Sequence, residues 1–265
     1  MPIITTDDIE LYYQSYGDGE PLVLIPGFAS GAWSWDWQVT ALAKYFRVIT
    51  FDPRGISRST GSGLEALSIE LIADDVAHIL DAIGVGSAHI LGVSFGGFVA
   101  QEFALKYPAR VRKLVLASTS FGGSNHVSPS LRVLGAFAST DGLNSPDRIR
   151  QYLSMSFSPD FVASEPDTVE EFCCLREANN VPEEVYLGQL RSAMLFDAQS
   201  RLSQIAAATL VISGDVDTIV PTQNSLNLAA AISGAKLEIM GDGSHMAFVE
   251  HAAKFNKIVR TFLSK

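Results

Sequence analysis

Gly92-Val93-Ser94-Phe95-Gly96 sets a serine between two glycines, each two residues away. A hydroxyl carried on an abrupt turn from strand to helix needs such neighbours, because the closely approaching backbones leave no room for a Cβ, and Gly97 extends the permissive stretch. The surroundings fit that geometry. The apolar run Ala88-His89-Ile90-Leu91 precedes the motif, and Phe98-Val99-Ala100-Gln101-Glu102-Phe103-Ala104 after it reads as a helix. The first turn of that helix would place free N–H groups and a positive dipole end beside the serine, an environment suited to an oxyanion.

A serine hydroxyl is a weak nucleophile until a base removes its proton, so the chain must also supply a histidine and a group that orients it. Of the five histidines, His78 and His251 fall inside expected helices, His89 inside a strand, and His126 in a loop that follows no late strand. His245 differs. It follows the run Lys236–Met240 through Gly241-Asp242-Gly243-Ser244, at the carboxyl end of an expected strand, and is the expected base. For the carboxylate, the segment after the run 113–117 offers only Ser118, Thr119 and Ser120. The next strand leads instead into Ser213-Gly214-Asp215-Val216-Asp217, so the acid is expected there, at Asp217 or Asp215.

These groups need a scaffold that brings distant loops together. Short runs apolar on both faces, at 22–25, 48–51, Ala88–Val93, 113–117, 209–213 and Lys236–Met240, read as strands of a parallel sheet covered on both sides. Amphipathic runs at 35–45, 68–83, 95–107, 222–232 and 247–262 alternate with them as helices. In front, Ile3-Ile4-Thr5, a turn at Thr6-Asp7-Asp8 and alternating Ile9, Leu11 and Tyr13 read as an antiparallel hairpin. The expected fold is therefore α/β: a three-layer sandwich around a mostly parallel, twisted sheet. One interval breaks the alternation. Between Ser118 and about Ala208 there is no convincing strand, only helical patterns punctuated by Pro129, Pro146, Pro159, Pro166 and Pro182. The chain accordingly divides into a core of residues 1–118 and 209–265 and an inserted helical cap of residues 119–208, placed where it can cover the carboxyl ends of the strands. Phe157, Phe161, Phe172, Tyr186, Met194 and Phe196 either face a pocket under this cap or pack its own core.

Composition narrows the function classes. Of 265 residues only 18% are charged, with a net charge of −10, which disfavours nucleic acid and anionic lipid as partners. No signal peptide and no apolar run of about 20 residues is evident, so a cytoplasmic location is expected. Cys173 and Cys174, the only cysteines, are neighbours in sequence, ill placed for a disulfide framework or a zinc site and expected to be buried in a helix.

Taken together these motifs resemble the α/β-hydrolase superfamily over nearly the whole chain, notably its small esterases, enol-lactonases, carbon–carbon bond hydrolases and cofactor-free perhydrolases. The order serine, aspartate, histidine is similar to theirs. Asp217, followed by Thr218-Ile219-Val220-Pro221, resembles the family's G-x-x-D-x-x-x-P setting and is favoured over Asp215 on that ground. Pro26-Gly27-Phe28 is similar to the family's His-Gly-x oxyanion loop with proline in place of histidine. The resemblance implies an oxyanion hole made by the backbone N–H groups of Phe28 and Phe95. Asp52-Pro53-Arg54-Gly55 resembles its D-x-R-G turn, with Ser57 where glycine is common; Ser244 likewise replaces a frequent glycine, while Glu250 keeps the usual spacing from His245.

The expected function is hydrolysis of an ester, lactone or related acyl bond of a small, largely apolar substrate by a Ser94–His245–Asp217 triad, with no metal and no cofactor. Trp33, Phe157 and Met194 are the expected pocket residues. A carbon–carbon bond hydrolase shares the same triad, and a slow-turnover ligand receptor is the alternative from another class. Oligomeric state is not legible.

Overall fold

The computed structural model describes residues 2–6, 9–61 and 66–265. Strands form where β-branched, leucine and aromatic residues gather: β1 (Ile3–Thr5), β2 (Glu10–Tyr16), β3 (Glu20–Ile25), β4 (Phe46–Phe51), β5 (Ala88–Val93), β6 (Val111–Ala117), β7 (Ala208–Gly214) and β8 (Lys236–Met240). They make one sheet in the order β1-β2-β4-β3-β5-β6-β7-β8. The pairs β1/β2 and β2/β4 are antiparallel and the other five are parallel. Thr6 N–H donates to the Ile9 carbonyl, consistent with the expected N-terminal hairpin; Asp7 and Asp8 of its turn lie outside the described residues.

Strand periodicity separates the two apolar layers. Val23 and Ile25 of β3 face one cluster, whereas Leu22 and Leu24 face the other. The first layer is closed by α2 (Ile69–Ala82) and α3 (Phe95–Lys106), through Ile72, Val76, Val99 and Phe103, with Leu228 of α9 (Gln223–Ala231). On the second side α1 (Asp36–Leu42) contributes Leu42, and the C-terminal α11 (Ala252–Leu263) contributes Phe255, Val259 and Leu263. The expected single helix over 247–262 is instead two, α10 (Ala247–Glu250) and α11, parted at His251 (φ −120°, ψ 42°).

Between β6 and β7 lie five α-helices, a short 3₁₀ helix (Gln199–Gln204) and no named strand: α4 (Leu131–Ala138), α5 (Pro146–Ser156), α6 (Pro159–Ser164), α7 (Pro166–Glu177) and α8 (Glu183–Leu195). The prolines explain where they begin. Pro146, Pro159 and Pro166 each open a helix, where the missing N–H costs nothing, and Pro182 is the residue before α8. Ser130, Ser145 and Ser158 cap α4, α5 and α6, each accepting a hydrogen bond from the backbone N–H three residues on. Both cysteines lie in α7, but only Cys173 is buried; Cys174 is exposed, because adjacent helical residues point about 100° apart and only one of them faces the core. No described helix is long and apolar enough to cross a membrane.

Candidate active site

The strand order reverses direction between β3 and β5: the chain leaves β3 for β4 on one side, and β5 leads to β6, β7 and β8 on the other. A crevice opens outside the carboxyl ends of strands at such a switch point. Ser94 stands there, one residue past β5, and the Gly27-Phe28 loop follows β3, whose Ile25 pairs with Gly92.

The turn at Ser94 is held by its surroundings. The residue has φ 54° and ψ −120°, a region that disfavours any side chain and costs of order 1–3 kcal/mol. Its N–H donates to the Ala117 carbonyl at 2.9 Å, and its own carbonyl accepts from Gly97 N–H and Thr119 Oγ1, both at 2.8 Å. The glycines make room as the sequence implies: a Cβ at Gly92 would lie 2.1 Å from the Gly96 carbonyl oxygen, and one at Gly96 would lie 2.3 Å from that of Ile25. Both contacts are with backbone, which cannot swing aside. Gly92→Ala is therefore expected to destabilise the protein by about 3 kcal/mol, read as a melting temperature lower by roughly 6–12 °C. A wild-type melting temperature would refute the close approach.

The sequence-predicted trio converges. His245 Nε2 lies 3.0 Å from Ser94 Oγ, and its Nδ1 lies 2.9 Å from Asp217 Oδ2. Asp217 is buried, and its Oδ1 accepts the backbone N–H groups of Ile219 at 2.9 Å and Val220 at 2.8 Å. The rival Asp215 is exposed. Although β8 is an edge strand, its loop is drawn in by close backbone contact: Val216 N–H donates to the Gly243 carbonyl, and a Cβ on Gly214 would lie 1.9 Å from that oxygen. Glu250 completes the anchorage. Its Oε2 accepts Ser244 N–H at 2.7 Å, and its Oε1 accepts Ser158 N–H at 2.5 Å and lies 2.7 Å from Ser244 Oγ. Ser244 Oγ also lies 2.7 Å from the Ser156 carbonyl, so the serine that stands where glycine was expected ties the histidine loop to α5.

The expected oxyanion donors are both available. Among the described residues neither the Phe28 N–H nor the Phe95 N–H donates to a protein acceptor. Phe95 is the first residue of α3, and a Cβ on Gly27 would lie 3.6 Å from the Ser94 Cβ, which brings the β3 loop against the nucleophile. Asp52 and Arg54 serve the scaffold. Asp52 Oδ1 accepts Ala32 N–H at 2.8 Å, and the Arg54 guanidinium donates through Nε to Asp75 Oδ2 at 2.8 Å. Ser57, in the usual glycine position, has a φ of 50°.

Ser94 touches two cavities. The wider, about 350 Å³, is lined by Phe28, Phe95, Phe98, Leu134, Phe137 and Met194, with Ser120, His126 and Asn224 as polar points. The smaller, about 50 Å³, holds His245, Ser30, Tyr152 and Phe172. Through Phe28, Ser30, Tyr152, Leu153 and Phe172 it adjoins a further space of about 50 Å³ lined by Trp33, Tyr186, Arg148 and Arg176. Of the expected pocket residues, Trp33 lines this inner space and Met194 the rim of the wide one. Phe157 lines neither: it is buried, stacked on Phe161 at 5.7 Å and edge-on to Phe172 at 5.9 Å, and packs the helical insertion itself.

Arg148, Arg176 and Tyr152 escaped the sequence reading, whereas Tyr186, expected either at a pocket or in the cap's own core, lines the inner space. Arg176 lies one turn after Phe172 on the buried face of α7, and a charge on an apolar face is the signal that could have found it. Among the described residues its guanidinium is bound by neutral oxygens only, Asn144 Oδ1 and the Asn179 carbonyl, and burial pushes its pKa below the ordinary arginine value. Burial also raises the Tyr152 phenol well above its ordinary value of 10. Among the described residues no three histidine, cysteine or carboxylate side chains stand together as a metal site.

A strand–turn–helix serine facing a histidine and a buried aspartate, at the switch point of a mostly parallel sheet, defines the class of protein as an α/β-hydrolase-type scaffold. The alpha/beta hydrolase fold family model matches residues 20–252, and the chain belongs to that family. It is similar to a 2-hydroxy-6-oxononadienedioate/2-hydroxy-6-oxononatrienedioate hydrolase of Burkholderia vietnamiensis, 32% identical over 97% of this chain and 92% of the relative. Among solved structures it is similar to the enol-lactonase of Burkholderia xenovorans, at 26% identity and a TM-score of 0.85, covering 100% of both chains. A thermophilic esterase of Thermogutta terrifontis matches at 26% identity and a TM-score of 0.85, over 99% of this chain and 97% of that one.

Proposed function

We propose that this chain is a serine hydrolase that cleaves an acyl bond of a small, largely apolar carbonyl compound. The observation that carries the reading is the continuous line from Ser94 Oγ through the His245 imidazole to the Asp217 carboxylate. In the reaction Ser94 Oγ attacks the carbonyl carbon as His245 Nε2 takes its proton, and Asp217 holds the ring and stabilises the imidazolium. The carbonyl oxygen becomes an oxyanion held by the Phe28 and Phe95 N–H groups. His245 then gives the proton to the leaving group, and water, activated by the same ring, releases the acid from Ser94. The helical insertion of residues 119–208 acts as the lid over this site.

Relatives named as esterase, enol-lactonase and dienedioate hydrolase support the reaction class. One observation favours a second reading within it. Arg148 and Arg176 line the inner space with no carboxylate of the described residues bound to either, as a substrate carrying its own carboxylate would require, and the dienedioates named for the relative carry carboxylates. A carbon–carbon bond hydrolase would use the same triad on a ketone.

The test is labelling followed by a panel. A fluorophosphonate is expected to form a single adduct on Ser94 and stop multiple turnover of p-nitrophenyl butyrate; an adduct elsewhere, or none, overturns the proposal. Esters, lactones and vinylogous diketones, each with and without a carboxylate, then divide the two readings, the second requiring the highest kcat/KM on a carboxylate-bearing diketone.

A further inference from the structure

The loop that carries the Phe28 donor contains a residue in an unfavourable conformation. Ala29, immediately after Phe28, has φ 53°, a region that favours glycine. Such a backbone persists only where its surroundings fix it. Two groups hold the peptide between Phe28 and Ala29: Ser30 Oγ donates to the Phe28 carbonyl at 3.2 Å, and the Ala29 N–H donates to Gln189 Oε1 at 2.8 Å. Gln189 lies on α8, 160 residues further along the chain, and is fully buried. Three residues before it on the same helix, Tyr186 packs edge-on to the Phe28 ring, with centroids 4.7 Å apart.

The amide of Gln189 is oriented by this contact. Turning it over would set its NH2 against the Ala29 N–H, donor to donor, so the carbonyl must face the loop. Its Nε2 is then left buried without an acceptor among the described residues. That unsatisfied donor is a cost, and the bond from the Ala29 N–H to Oε1 is the contact that offsets it.

We propose that Gln189 is a positioning residue for the oxyanion hole: by fixing the Phe28–Ala29 peptide from the helical insertion it holds the Phe28 backbone, and through it the adjoining Gly27–Phe28 peptide that carries the Phe28 N–H. The proposal rests on the serine hydrolase reading above. Oxyanion stabilisation acts in the transition state, so loosening the donor lowers kcat and leaves KM alone. Gln189→Met keeps the length of the side chain and removes the acceptor. Gln189→Glu keeps a carbonyl oxygen when the buried acid is neutral.

The experiment measures kcat and KM per fluorophosphonate-titrated Ser94, together with inhibition by a trifluoromethyl ketone, whose Ser94 adduct carries the oxyanion. Gln189→Met is expected to lower kcat about 10- to 100-fold with KM within about twofold, and to weaken the ketone by the same factor; Gln189→Glu is expected to recover most of the loss. A lower melting temperature with unchanged kcat per titrated site would show a purely structural role and overturn the proposal, as would a glutamate variant no better than the methionine one. If the serine hydrolase reading itself fails, wild-type protein is not labelled at Ser94, so the two failures are told apart.

Discussion

Ser94→Ala is expected to lower kcat by roughly 10⁶-fold on any substrate the wild type turns over. The size follows from what the hydroxyl does alone. Among the described residues Ser94 Oγ is the one nucleophilic atom shared by both cavities and the one partner of His245 Nε2. Without it the same histidine has only water to activate, and the two N–H donors and bound substrate sustain a residual rate roughly 10³–10⁴ above the uncatalysed one. The fold should hardly notice. The strained turn is fixed through the backbone N–H and carbonyl of Ser94, which alanine keeps, and the lost hydrogen bond is worth about 1 kcal/mol. The melting temperature should therefore move by no more than about 2–4 °C. Steady-state kinetics on purified variant with a matched melting curve checks both halves, and a loss below a hundredfold would remove Ser94 from the chemistry.

The strand–turn–helix at Ser94 was legible because its requirements are local. Glycines at fixed offsets, an apolar run before and a helix after are properties of about twenty consecutive residues, and β5 begins and ends where that run does. The same holds for β8 and for the proline-opened helices of the insertion. Features decided by tertiary contact were not legible. Nothing in Val249-Glu250-His251-Ala252 resembles a helix breaker; yet the Glu250 carboxylate is committed to Ser158 and Ser244, and the Phe248 carbonyl accepts from Gln38 Nε2, a partner 210 residues away. Those contacts outweigh the propensity to continue one helix. The choice between Asp215 and Asp217 was open on spacing alone for the same reason: burial and the two amides that hold Oδ1 distinguish them, and neither is a property of composition. Gln189 and Arg148 sit on helix faces that read as ordinary mixed surface until the opposing loop is in place.

Asp217→Asn should separate orientation from mere presence. The two backbone amides at Oδ1 require an acceptor, so the asparagine oxygen is expected to take that place, which turns its NH2 toward His245 Nδ1. An NH2 donates, and the ring must then accept at Nδ1 and carry its proton on Nε2. That tautomer faces Ser94 Oγ with a donor instead of a lone pair and cannot take the hydroxyl proton. The expected loss is roughly 10⁴-fold in kcat with KM nearly unchanged, since no contact to substrate has been altered. Stability should survive, because both amides keep their acceptor. Asp215→Asn provides the control: that carboxylate is exposed and should tolerate the change with kcat within about twofold. Kinetics of the two variants side by side decide the matter. A loss at position 215 with near-normal turnover at 217 would mean that the carboxylate seen against the imidazole is not the one that sets its tautomer.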